Sequence, residues 1–188
     1  MTPASNHYLS AEQILAEADE VKRAQQQPAK FDVLYNRYYE PILKFVYKRV
    51  DTKKLAFDVT QQVFCNAMVS LHKYEYKGVP FSAWLYRIAI NELNQLFRSQ
   101  KAQQTLNINT EDITFVLHEI NTEGEEKYEP LLNALAELPP DDLQLIEMRF
   151  FEKRSFKEIA EIVEITEINA KTKTYRVIDK LKQLITKK

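Results

Sequence analysis

Only two of the 188 residues are glycine, Gly78 and Gly124. A chain so poor in glycine cannot make many tight hairpin turns, which depend on residues at positive φ. Strict apolar/polar alternation, the mark of a half-buried strand, is also missing. Together these features predict an all-α fold, and the length allows one large or two small helical domains with real cores.

The helical pattern can be followed along the chain. Residues 10–27 (SAEQILAEADEVKRAQQQ) predict one amphipathic helix capped by Ser10 and ending near Pro28. FDVLYNRYYE and ILKFVYKRV form a helical pair at Pro41, which calls for a new start or a kink. Asp51-Thr52 offers a cap for LAFDVTQQVFCNAMVSLHKY, and EYKGVP at 75–80 is a turn. The helix in PFSAWLYRIAINELNQLFR follows. At 100° per residue it gathers Leu85, Tyr86, Ala89, Ile90, Leu93, Leu96 and Phe97 on one face. Trp84, Arg87, Asn91, Gln95 and Arg98 fall on the other, an aromatic ring with cations and carboxamides that no core requires.

Residues 101–130 lose this periodicity and read as a flexible acidic linker, with short helical pieces near Ile113–Ile120. A second module, residues 131–188, opens at LLNALAELPPDDLQLIEMRFF, where Pro139-Pro140 and two aspartates start a helix. In SFKEIAEIVEITEINAKTKTYRVIDKLKQLI, Ser155 and Glu158 form a capping box on a short helix. A break at Glu164-Ile165-Thr166 leads to a longer helix with an apolar stripe of Ala170, Val177, Ile178, Leu181, Leu184 and Ile185. Asn169, Lys171, Thr172, Lys173, Arg176 and Lys180 lie opposite or at its edge. A short helix, a tight turn and a basic second helix is helix-turn-helix geometry, able to deliver a recognition helix to the major groove. A solvated basic face on a structural helix is the competing reading.

The formal net charge of −1 conceals segregation. Residues 1–30 carry three basic and four acidic side chains, residues 31–100 ten and six, residues 101–130 two and seven, and residues 131–188 eleven and ten. Two modules compatible with nucleic acid are thus separated by an acidic strip. Other functions find no support. Cys65 is the single cysteine, which excludes an internal disulfide, and its apolar surroundings predict a core thiol. His7, His72 and His118 lack ligand spacing, so no metal or other cofactor is expected. Paired carboxylates, a His-centred site and a phosphate-cradling glycine loop are all missing, which argues against an enzyme. No apolar run reaches the roughly 20 residues of a membrane span, and the N-terminus does not read as a signal peptide. A cytoplasmic location is expected.

In FDVLYNRYYEPILKFV, AFDVTQQVF, FSAWLYRIAIN and LAELPPDDLQLIEMRFFEKRSFKEIAEI, in that order, the chain resembles a bacterial RNA polymerase sigma factor of the extracytoplasmic-function (ECF) group. The resemblance implies a region 2 domain over 31–100 and a region 4 domain over 131–188, with residues 1–30 outside it as an N-terminal extension. It implies that Asp58, Gln61, Gln62 and Asn66 dock on core polymerase. It further implies that Arg87, Asn91, Gln95 and Arg98, with Tyr74, Tyr76 and Lys77 from the preceding loop, engage the downstream (−10) promoter element as the duplex melts. Capture of unstacked bases calls for rings, cations and amides. Trp84 belongs to that set or packs on the neighbouring helix. Asn169, Lys171, Thr172, Lys173 and Arg176 would bind the upstream (−35) element as duplex. The implied partners are core polymerase, promoter DNA both duplex and single-stranded, and an anti-sigma protein, with no membrane. The chain departs from the family's usual pattern at Gln62, often an acid, and at Glu164 and Ile168, often glycine or another small residue. A free-standing helix-turn-helix regulator with a sensor or dimerisation bundle is the alternative.

Overall fold

The computed structural model describes residues 9–100, 110–120 and 124–186. Every regular element among them is helical, as the glycine count predicts. The chain forms two compact units, Met1–Asn107 and Ile108–Lys188.

The first unit holds α1 (Ala11–Gln26), α2 (Phe31–Tyr47), α3 (Lys53–Ser70) and α4 (Phe81–Gln100). Single 3-10 turns at Pro28–Lys30 and Leu71–Lys73 follow α1 and α3. Local chemistry sets the helix starts. Ser10 and Gln13 form a reciprocal capping box on α1, and the Thr52 hydroxyl accepts from the Leu55 amide to open α3. Of the new start or kink expected at Pro41, there is no new start: α2 is one helix through it. Buried side chains on both sides of the proline, Leu34, Tyr38, Ile42 and Phe45, hold the helix together across the missing amide donor. The core lies where α2, α3 and α4 meet, around Leu34, Ile42, Phe45, Ala56, Val63, Ala67, Leu85 and Ala89. Truncating one of these large residues to alanine removes about 2–5 kcal/mol.

Cys65 is exposed rather than buried. The buried stripe of α3 runs Ala56, Val59, Thr60, Val63, Phe64, Ala67, and residue 65 falls just outside it. Its thiol instead lines a cleft of about 480 Å³ with Phe31, Tyr35, Phe64 and Met68.

The second unit holds α5 (Thr110–Glu119), α6 (Tyr128–Ala136), α7 (Pro140–Ile146), α8 (Phe156–Ile162) and α9 (Glu167–Thr186). A π-helical turn, Glu147–Phe151, continues α7. Helix α5 lies within the segment read as a flexible linker. Ile113, Val116, Leu117 and Ile120 are buried there at helical spacing. Helix α5 packs on α6, with Phe115 near Phe150 (6.1 Å between centroids) and the Thr114 and Tyr128 hydroxyls 3.1 Å apart. Helix α5 falls where short helical pieces were expected near Ile113–Ile120, and residues 101–109 and 121–123 of the segment read as a linker lie outside the described residues. Pro140 opens α7 with Asp141 and Asp142 in its first turn, as expected of a helix N-terminus. Leu131, Leu135, Ile146, Met148, Ile159 and Leu181 fill the core of this unit.

Buried Tyr38 donates its hydroxyl to Glu17, and burial first, then that carboxylate, push the phenol well above its ordinary 10.0. Below pH 10 the phenol is neutral in folded and unfolded chains alike. Above it the unfolded chain loses the proton more readily, so stability falls as pH rises past about 10. Urea unfolding followed by circular dichroism across that range will show this decline. In Tyr38→Phe its slope will be smaller by up to ~1.4 kcal/mol per pH unit.

Candidate nucleic-acid interface

The candidate surface of the first unit is built on α4 and the loop before it. Helix α4 does not begin amphipathic: Phe81 through Tyr86 are all buried. The outward face opens only after this plug, with Arg87 half-buried and Asn91, Asn94, Gln95 and Arg98 exposed. The Arg98 guanidinium also donates to the Asn94 carbonyl (3.2 Å). Trp84 does not join this face. It is only 8% exposed and sits in an aromatic cluster with Tyr74 and Phe81, at centroid distances of 5.2 and 5.3 Å. Its ring packs on the preceding loop and on the first residue of its own helix, where its large apolar surface gains more than in water.

Tyr74 packs edge-on against Phe81 at 5.1 Å and is half-buried, so it braces the loop as much as it lines it. Glu75, Tyr76 (41% exposed) and Lys77 are the loop side chains turned to solvent. Gly78 has φ 70°, the conformation that lets the chain turn back towards Pro80. Tyr76, Lys77, Asn91, Gln95 and Arg98 are thus at the surface and Trp84 is buried.

The α3 ridge has a hydrogen-bonded order of its own. Asp58, Gln61 and Gln62 are exposed and Asn66 is half-buried. The Gln62 amide donates to Asn66 Oδ1 (2.9 Å), and the Asn66 amide donates to Glu92 Oε1 of α4 (2.6 Å). Glu92 was not among the residues the sequence singled out. It places a carboxylate one hydrogen-bond relay away from Gln62. Nothing in the linear pattern links positions 62, 66 and 92.

In the second unit the capping box stands as written in the sequence. The Ser155 hydroxyl accepts from the Glu158 amide (3.2 Å) and the Glu158 carboxylate accepts from the Ser155 amide (2.9 Å). Glu158 also takes the buried Arg154 guanidinium at 3.0 Å, tying the cap into the core. Helix α8 ends in a Schellman turn, with the Ile165 amide donating to the Ala160 carbonyl (3.0 Å). Glu164 supplies the left-handed residue of that turn at φ 56°, where glycine is the usual choice. The turn keeps its ordinary shape, and the substitution is accommodated as strain. The Thr166 hydroxyl then accepts from the Asn169 amide (3.3 Å) as α9 begins.

Ala170, Val177, Ile178, Leu181 and Ile185 of α9 face inward, and Leu184 is half-buried. Thr174 joins the buried stripe by donating its hydroxyl to the Ala170 carbonyl (2.8 Å). Asn169, Lys171, Thr172, Lys173 and Arg176 are all exposed on one side of the helix. Lys180 instead lies 3.7 Å from Asp142 of α7. Ile168, 77% exposed, and half-exposed Tyr175 share this surface, and Tyr175 rests against Phe156, which lies under the Arg149 guanidinium. An isoleucine so exposed at the start of a basic helix can meet a thymine methyl in the major groove. No cluster of metal-ligating side chains occurs among the described residues.

Comparison with known proteins places both surfaces in one family. The family model Sigma-70 region 2 matches residues 34–103, and Sigma-70, region 4 matches residues 128–181. Over 172 residues the chain is 29% identical to the ECF RNA polymerase sigma factor BldN of Streptomyces coelicolor. That alignment covers 88% of this chain and 64% of the relative, so the chain spans less than two thirds of that protein's length. It is 26% identical over 157 residues to the ECF RNA polymerase sigma factor SigM of Bacillus subtilis, covering 81% of this chain and 93% of that protein. Among solved structures, CnrH in complex with the cytosolic domain of CnrY shares the fold (TM-score 0.59, 18% identity, 92% of this chain and 98% of that one).

Replacing Glu164 with glycine relieves the left-handed strain. Glu164→Gly will stabilise the second unit by up to about 1 kcal/mol, seen as a higher midpoint in urea unfolding. Glu164→Val will lower it.

Proposed function

The chain belongs to the ECF group of bacterial RNA polymerase sigma factors, and on that premise we propose that it is a promoter-specificity subunit whose two units grip one promoter at separate places. It binds core polymerase, recognises promoter DNA and helps to melt it, with no catalytic chemistry of its own. The observation that carries this reading is that each unit presents an exposed row of amides and cations on a helix anchored by its other side: Asn91, Gln95 and Arg98 on α4, and Asn169, Lys171, Thr172, Lys173 and Arg176 on α9.

The division of labour follows from the chemistry of each row. On α9, Lys171, Lys173 and Arg176 neutralise phosphates, and Asn169 and Thr172 near the helix start read base edges of the duplex. On α4, Asn91 offers a bidentate amide to an extruded base of the downstream element, Tyr76 offers a ring face, and Lys77, Arg87, Gln95 and Arg98 follow the backbone. Asp58, Gln61, Gln62 and Asn66, with Glu92 behind them, form the face for core polymerase. An amide and carboxylate ridge of this kind suits an arginine-bearing partner.

A net charge of −1 gives the free chain little counterion release on DNA. Specific binding therefore depends on docking to the polymerase first. An anti-sigma protein covering the α4 and α9 rows would hold the chain silent, and the proposal includes such a partner. No helix among the described residues is long and apolar enough to cross a membrane, and the proposal places the chain in the cytoplasm with the polymerase. The free-standing regulator reading gives way because a region 2 match over residues 34–103 describes a polymerase-binding domain rather than a sensor.

Reconstitution with core polymerase on a genomic promoter library tests this. The chain should co-elute with core and direct defined starts; failure of both overturns the reading. Asn91→Ala should lower open-complex formation on a selected promoter about 5–100-fold, the worth of one good base contact, with affinity for core unchanged. Equal loss of both would refute the role given to Asn91. Arg176→Ala should weaken holoenzyme binding on all promoters alike and reduce the salt slope by about one.

A further inference from the structure

Helix α1 lies entirely before the region 2 match at residues 34–103, yet it holds both ends of the loop that precedes α4. At the loop's start, the Gln25 side-chain amide donates to two backbone carbonyls, those of Leu71 and Tyr74, each at 2.9 Å. These carbonyls bracket the 3-10 turn Leu71–Lys73. At the loop's end, the Glu17 carboxylate accepts the backbone amide of Phe81, the first residue of α4, at 2.7 Å. The same carboxylate, 3% exposed, accepts from the Tyr38 hydroxyl and from the Arg37 guanidinium (3.2 Å). Arg37 is also paired with Glu20 of α1 at 2.8 Å, and that bond is the main reason its guanidinium is held above its ordinary pKa. Glu17 and Gln25 stand eight residues apart, about 12 Å along the helix, with buried Val21 between them.

From these contacts we propose that α1 is a strut that sets the shape of the Glu75–Pro80 loop before DNA arrives, with Glu17 and Gln25 as its positioning residues. This rests on the reading of that loop and α4 as the surface for the melted strand. A loop of six residues pinned at both ends has fewer shapes to give up when it closes on a base. Its exposed Tyr76 and Lys77, next to exposed Glu75, are then presented from a fixed base rather than searched for. Glu17 adds a second effect. A carboxylate on the first amide of α4 fixes where that helix begins, and so sets the register of Asn91, Gln95 and Arg98 relative to the loop. Gln25 acts only through the loop, while Glu17 acts through both loop and helix.

The test uses the full chain assembled with core polymerase and, as probe, the single-stranded non-template DNA of a promoter that the wild-type holoenzyme opens. Gln25→Ala removes a half-buried side chain at the end of α1 and leaves the core intact. In hydrogen exchange on the free chain, the amides of Tyr74–Val79 should exchange at least fivefold faster than in wild type, with α3 unchanged. Affinity of the holoenzyme for the strand should fall about tenfold while affinity for core is retained. Glu17→Gln, which presents an amide donor or a single acceptor where two oxygens now accept, should weaken strand binding further. Unchanged exchange in the loop of Gln25→Ala overturns the strut. So does unchanged strand affinity in Gln25→Ala when Asn91→Ala is impaired, and so does a parallel loss of core and strand binding. Wild-type strand affinity in Asn91→Ala overturns instead the underlying reading of α4, and the exchange measurement still decides whether α1 holds the loop.

Discussion

One buried carboxylate organises the first unit. Glu17 is nearly sealed from water, and an unpaired charge in that place would cost several kcal/mol. It is tolerated because three donors converge on it, from the Tyr38 hydroxyl, the Arg37 guanidinium and the Phe81 backbone amide. Those donors belong to α2 and to the first turn of α4, so satisfying the charge fixes how three helices meet. Apolar packing alone would let α1 slide along its neighbours with little penalty. The hydrogen bonds select one arrangement from the several that packing permits.

Helix α4 shows how a single helix serves both core and surface. Its first six residues are buried on all sides, with Phe81 and Trp84 joined to Tyr74 and with Tyr86 edge-on to Phe45 at 4.7 Å. That plug anchors one end, and the exposed amides and cations extend from it as a rigid arm. Helix α9 solves the same problem differently, with a single inward stripe along its length and Thr174 bonded back to its own backbone. The first design gives a firmly seated base for the exposed side chains that follow it. The second gives a long face suited to lying in a groove.

The charge distribution makes both surfaces conditional. Basic residues are concentrated in the modules and acids between them, so the whole chain is nearly neutral and its DNA faces are weak alone. On α3 the Gln62–Asn66–Glu92 relay ties the exposed polar ridge to α4.

By itself the sequence determined the helical class, the caps at Ser10, Thr52 and Ser155, the helix-turn-helix and the exposed row on α9, because each of these follows from local chemistry within a few residues. The resemblance marked Glu164 as a departure from the family's usual glycine, and its φ of 56° is seen only in the structure. Short helical pieces near Ile113–Ile120 were legible too, but not that they form one helix packed on α6 and on the turn after α7. Tertiary structure alone decided that Trp84 is buried, that Cys65 is exposed, that α2 passes through Pro41, and that Glu17, Gln25 and Glu92 reach partners in other helices. Each of those outcomes depends on groups 20 to 64 residues apart or on which neighbouring helix covers a face, and a helical wheel carries no information about either.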